Sequence, residues 1–133
     1  EISACLVGSE MCIRDRPGGC HPGRAVPILE IHGTADPIVP YEGIPASVSP
    51  QWPLPSVPQW LQDWATRDGC TQGPLVFLQT PAVTSEHWIH CEGNASVVHY
   101  RMEGEGHSLP GTIGGEATNV LMWDFFQAHP LLD

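Results

Sequence analysis

From Val26 the chain turns apolar: Val26, Ile28, Leu29 and Ile31 run with little interruption into His32, Gly33 and Thr34. Such a run predicts a strand, and its near-continuous apolar character suits burial on both faces, as in a parallel sheet. Pro27 stands at its start, where a missing N–H does no harm. Gly33 releases the backbone into a turn, so Asp36 is expected on the loop beyond the strand, stiffened by Pro37 and Pro40. From Glu42 to Pro55 the chain is rich in Pro and Ser, with Trp52 its only large anchor, which predicts a long surface loop.

Helical spacing begins after that loop. Ser56 with Gln59 fits a capping box, Pro58 is tolerated in the first turn, and Val57, Trp60, Leu61, Trp64 and Ala65 share one face. Gly69 is placed to end the helix, with Cys70 directly after it. Leu75 to Gln79 reads as a short extended segment. His87 to Cys91 and Val97 to Met102, separated by EGNAS, read as a hairpin. A second helix is predicted over about Glu116 to Ala128, with Ala117, Leu121, Phe125 and Ala128 on one face and His129 and Pro130 as its stop.

The whole sequence has 133 residues, enough for one domain at most. It has 15 acidic residues against five basic ones, all Arg, and a formal net charge of -10, which argues against nucleic acid and anionic membrane surfaces as partners. Neither a transmembrane run nor a signal peptide is visible. Pro17 to Gly23 reads as a loop; Cys20 beside His21 is a weak metal signal, more in keeping with a surface thiol or a disulfide to another segment. His87 and His90 point to opposite faces of a regular strand, which argues against a zinc cluster with His99. Asn94-Ala95-Ser96 is a glycosylation sequon by pattern, meaningful in a secreted eukaryotic protein.

Two stretches carry candidate chemistry. HGTADPIVPYEG sets Asp36 on a loop after one strand, and EGEGHSLPG sets His107 on a loop after another. An Asp and a His so presented are the acid and base of an Asp–His pair, in which the carboxylate orients the imidazole.

Together these stretches resemble the α/β-hydrolase family, and within it the secreted polyhydroxybutyrate depolymerase and feruloyl or acetylxylan esterase group. HGTADPIVPYEG is similar to that group's catalytic-acid motif and EGEGHSLPG to its catalytic-histidine motif; a Cys after a helix and the WDFFQAHP segment also match. The likeness spans most of Arg24 to Pro130, and Leu109 stands where the group usually carries Trp. The resemblance implies the C-terminal portion of an α/β-hydrolase sheet, parallel strands with flanking helices, over residues 17–133. It implies a serine ester hydrolase with Asp36 as acid and His107 as base, without cofactor or metal. It also implies a Cys70–Cys91 disulfide in an exported protein, secreted or periplasmic. An ester, polyester or acylated polysaccharide, is the implied substrate.

A serine nucleophile is not among these residues. No Gly-x-Ser-x-Gly elbow occurs, Gly8-Ser9-Glu10 does not form one, and Ser108 is too close along the loop to face His107. In the group it resembles, the serine precedes the acid, which implies a nucleophile upstream of Pro17 and a chain that is inactive alone. Residues 1–16, EISACLVGSEMCIRDR, resemble translated sequencing adaptor, so Cys5 and Cys12 are expected to carry no function. Two alternatives stand beside the esterase: a serine peptidase of the same fold, and a non-catalytic Trp-rich binding module. The second leaves the paired loop motifs unexplained.

Overall fold

The computed structural model describes residues 22–130; the adaptor-like segment and the Cys20–His21 pair lie outside them. In chain order come β1 (Ile28–Gly33), α1 (Val57–Arg67), β2 (Gln72–Gln79), β3 (Val83–Ile89), a 3₁₀ turn (Glu92–Asn94), β4 (Val97–Met102), the short strands β5 (Thr112–Ile113) and β6 (Glu116–Ala117), and α2 (Thr118–Ala128).

The main sheet has the order β1-β4-β3-β2. Only β1 and β4 run parallel, with Ile28 opposite Val97 and Gly33 opposite Met102. β4 pairs antiparallel with β3, and β3 antiparallel with β2. This corrects the expected fold class: the domain is small and β-rich with a mixed, mostly antiparallel sheet and few helices, not a parallel-strand α/β-hydrolase sheet with flanking helices. Link length is the physical reason. Parallel neighbours need a crossover of a dozen or more residues, whereas β2 turns into β3 through Thr80–Ala82 and β3 reaches β4 through the 3₁₀ turn. β1 can lie parallel to β4 because most of the domain intervenes between them. It is also an edge strand, only partly buried along its middle, rather than covered on both faces.

Alternation along the strands sorts the core onto two sides. On one side Ile28, Trp88 and Val97 pack with Tyr41 and with Val57, Leu61, Trp64 and Ala65 of α1. Burying the Leu61 side chain alone contributes roughly 1.5–3 kcal/mol. On the other side Val83, Met102 and Ile113 cluster with Ile31, Leu78, Tyr100 and Leu121. β2 leaves apolar side chains in solvent, with Phe77 63% exposed, and Trp52 is 59% exposed.

Local chemistry explains the ends of α1. Ser56 Oγ accepts from Gln59 N–H, while the Gln59 side chain turns to Asp63, so only half of the expected capping box forms. At the other end Gly69 takes φ +66° and Cys70 N–H reaches back to the Ala65 carbonyl. This is the Schellman closure that a left-handed glycine permits. Buried Asp68, just before it, accepts Val26 N–H on Oδ1 at 3.0 Å, and burial pushes its pKa up to about 6. A disulfide joins Cys70 to Cys91, tying the end of α1 to the end of β3.

Candidate active site

Because β1 and β4 are parallel neighbours, their carboxyl ends lie side by side and so do the loops that follow. Those loops are laced together. Thr34 N–H donates to the Met102 carbonyl at 2.9 Å, Ala35 N–H to the Glu105 carbonyl at 3.0 Å, and Gly104 N–H to Thr34 Oγ1 at 2.8 Å. Gly33 makes this approach possible: a Cβ there would collide with the Glu105 and Gly106 carbonyls.

The lacing brings Asp36 and His107 into contact, with His107 Nδ1 2.9 Å from Asp36 Oδ2. The Asp36 side chain is only 5% exposed, that of His107 46%. Asp36 Oδ1 is occupied separately, accepting Ile38 N–H at 2.8 Å and Val39 N–H at 2.9 Å. Such a local bond from an Asp to the backbone beyond it is the habit that makes Asp a turn former. Here it leaves Oδ2 alone to face the imidazole. Burial raises the Asp36 pKa, but the Val39 N–H, His107 and the Ile38 N–H together outweigh it and hold the group below its ordinary 3.8. Asp36 is therefore a carboxylate, which can only accept, and His107 Nδ1 must donate to it. The proton on Nδ1 leaves Nε2 as the basic atom of the neutral imidazole. That is the orientation a general base needs.

Cys70 and Cys91 sit at the opposite end of β4 from this pair, beside its first residue rather than its last. No group of three His, Cys, Asp or Glu side chains is gathered to hold a metal among the described residues. His99 lies wholly buried in the sheet, hydrogen-bonded to Tyr41.

A set of polar groups that the sequence reading passed over stands behind Asp36. His32 Nε2 lies 3.4 Å from Asp36 Oδ2, and its Nδ1 is 2.8 Å from Glu30. The available signal was Glu30-x-His32, two polar residues on one face of an otherwise apolar strand. What their partners are depends on β1 lying beside β4, which no local pattern encodes.

The chain is 30% identical over 116 residues to feruloyl esterase B of Piromyces equi. The match takes in 86% of this chain and 20% of that protein, so the chain spans about a fifth of the length of the curated relative it matches. No family model matches it. No solved structure matches it either. The chain is thus distantly similar to an esterase.

Proposed function

We propose that this chain carries the acid and base of a serine carboxylic-ester hydrolase of the feruloyl esterase or polyhydroxybutyrate depolymerase kind, its nucleophilic serine lying outside these residues. The observation that carries the reading is the Asp36–His107 pair: a buried carboxylate with one oxygen saturated by backbone N–H groups and the other at 2.9 Å from a half-exposed imidazole. The likeness to feruloyl esterase B supports it.

In the proposed reaction the serine hydroxyl attacks the ester carbonyl while His107 Nε2 takes its proton. Asp36 holds the ring in the Nδ1–H tautomer and stabilises the imidazolium that forms. His107 then returns the proton to the leaving alkoxide, giving the free alcohol and an acyl-serine. Water, deprotonated by the same Nε2, cleaves the acyl-serine to the carboxylic acid. Backbone N–H groups supplied with the serine would stabilise the oxyanion of both steps. The substrate is an ester of an acylated polysaccharide or a polyester, and the Cys70–Cys91 disulfide supports an exported protein, since such bonds persist in oxidising compartments.

A fluorophosphonate probe together with an aryl-ester assay tests this reading. These 133 residues alone should neither label nor hydrolyse above background. Joined to the upstream sequence of the native reading frame, the protein should gain one labelled serine and ester hydrolysis together. An extended protein that shows neither would refute the proposal, as would hydrolysis by this chain alone.

A further inference from the structure

On the side of the sheet that α1 covers, polar groups are buried among apolar neighbours. Glu30 and His32 follow Ile28 on the same face of β1, and His99 of β4 is the register partner of Glu30. Burying these groups is costly unless each is paired, and the pairing converges on one carboxylate. Glu30 Oε1 lies 2.8 Å from His32 Nδ1. Glu30 Oε2 lies 2.5 Å from His99 Nδ1, an ion-pair distance without the alignment of a regular hydrogen bond. The far nitrogen of each ring reaches the segment that carries Asp36. His32 Nε2 donates to the Val39 carbonyl at 2.8 Å, and His99 Nε2 lies 2.9 Å from the Tyr41 hydroxyl.

Taking Asp36 and His107 as acid and base, we propose that Glu30 is a positioning residue for that pair, holding the loop of Asp36 at Val39 through His32 and at Tyr41 through His99. Val39 is the point of leverage. Its N–H is bound to Asp36 Oδ1 and its carbonyl to His32, so releasing the carbonyl frees the residue that orients the carboxylate. A displacement of about 1 Å in such a positioned group costs on the order of 100-fold in rate.

Hydrogen-bond roles fix the protons. A carboxylate and a carbonyl both only accept, so His32, facing one with each nitrogen, carries two protons and a positive charge. Burial opposes that charge, but the bonds to Glu30 and Val39 and the charges of Glu30 and Asp36 outweigh it and raise the His32 pKa above 6.5. Burial also raises Glu30, and His32 and His99 overcome it, leaving Glu30 below 4.5. The other charged or titratable groups facing this network are Arg101 of β4, Glu86 of β3 and Tyr41. α1 brings Val57 and Trp60 to its edge, neither of which titrates. The sign for His32 follows from its raised value: its contribution is complete below the ordinary 6.5 and is lost as pH rises through the higher folded pKa. For Glu30 the contribution is present above 4.5 and is lost as pH falls through the lowered value. On the alkaline side His32 gives up a proton and must let go of either Glu30 or Val39.

Two substitutions in the intact esterase separate this role from simple packing. Glu30→Ala removes both tethers and should lower kcat by about 100-fold, with KM within about two-fold. Glu30→Gln offers an amide N–H to a bare His32 Nδ1 and its carbonyl to His99, so a neutral His32 still holds Val39. It should recover most of the loss, and the alkaline fall in kcat of the parent should vanish. A Glu30→Ala protein within about three-fold of the parent kcat overturns the proposal. So does an unchanged alkaline limb in Glu30→Gln, which decides the matter alone if Glu30→Ala does not fold.

Ring nitrogen NMR of the present chain gives a readout that needs no ester. Both His32 nitrogens should be protonated at neutral pH in the parent, and only Nε2 in Glu30→Gln; a neutral His32 in the parent overturns the proposal. An intact protein without esterase activity whose His32 spectra behave as expected would sink the esterase reading and leave the hold of Glu30 on the loop standing.

Discussion

On the proposed esterase reading, Asp36→Asn in the intact protein is expected to lower kcat by about 10⁴-fold while leaving KM little changed, the size of loss that a wrong histidine tautomer brings in Ser-His-Asp triads. The structure says why the effect should be so large for so small a change. Ile38 and Val39 N–H groups both point at Oδ1, so the amide oxygen of Asn would take that place. Its NH₂ would then occupy the position of Oδ2, 2.9 Å from His107 Nδ1. Two donors cannot face each other, so the ring would move its proton to Nε2, the atom that should be taking one from serine. Steady-state kinetics on both proteins checks this, and a loss of less than about ten-fold would mean that Asp36 does not set the tautomer. Asp36 also links the pair to acid stability. Its folded pKa is lowered, so the stabilisation is complete above the ordinary 3.8 and is lost as pH falls through the lowered value.

Opening the Cys70–Cys91 bridge should destabilise the domain by about 3 kcal/mol, from the chain entropy regained by an unfolded loop of this length. The cysteines are 21 positions apart and enclose the whole of β2 and β3. In the folded state the bridge also fastens the end of α1 to the sheet, next to the Gly69 turn and buried Asp68. A melting temperature lower by on the order of 10 °C in Cys70→Ser/Cys91→Ser is the expected result. Equal melting of the two proteins would show that the bridge does not constrain the unfolded chain. Because the bridge lies at the far end of β4 from His107, the Asp36–His107 contact should persist in whatever fraction remains folded.

The two results probe parts of the molecule that were unequally legible in the sequence. α1 was written in Ser56, the apolar spacing from Val57 to Ala65, and Gly69, all local signals that short-range chemistry can satisfy. The β3–β4 hairpin was readable from period-two segments around a short link, although β3 begins at Val83, before the apolar run. β1 was recognisable as a strand but not as an edge strand, since a run of Val, Ile and Leu announces extended backbone and says nothing of its neighbours. The parallel sheet was expected from the near-continuous apolar run of β1 as well as from family likeness. The short links from Gln79 to Val83 and from Ile89 to Val97 argue for antiparallel pairing, and the structure follows the links.

For the site, His107 and Asp36 were visible because each ends a strand at a glycine-rich turn, and the structure brings them into hydrogen-bond contact. Glu30, His32, His99 and Tyr41 were not visible as a unit. Glu30 meets His99 only because β1 pairs with β4 in that register, and Tyr41 joins them only after the loop has folded back. Long-range pairing of this kind leaves only a faint trace in local patterns: polar residues where a strand should be apolar.

The proton on His107 tests the central claim most directly. At a pH where the ring is neutral, nitrogen NMR of this chain should find the proton on Nδ1, hydrogen-bonded to Asp36, and Nε2 bare; in Asp36→Ala that preference should be lost. A His107 ring protonated on Nε2 in the parent, or a spectrum indifferent to Asp36→Ala, would contradict the assignment of the pair as acid and base.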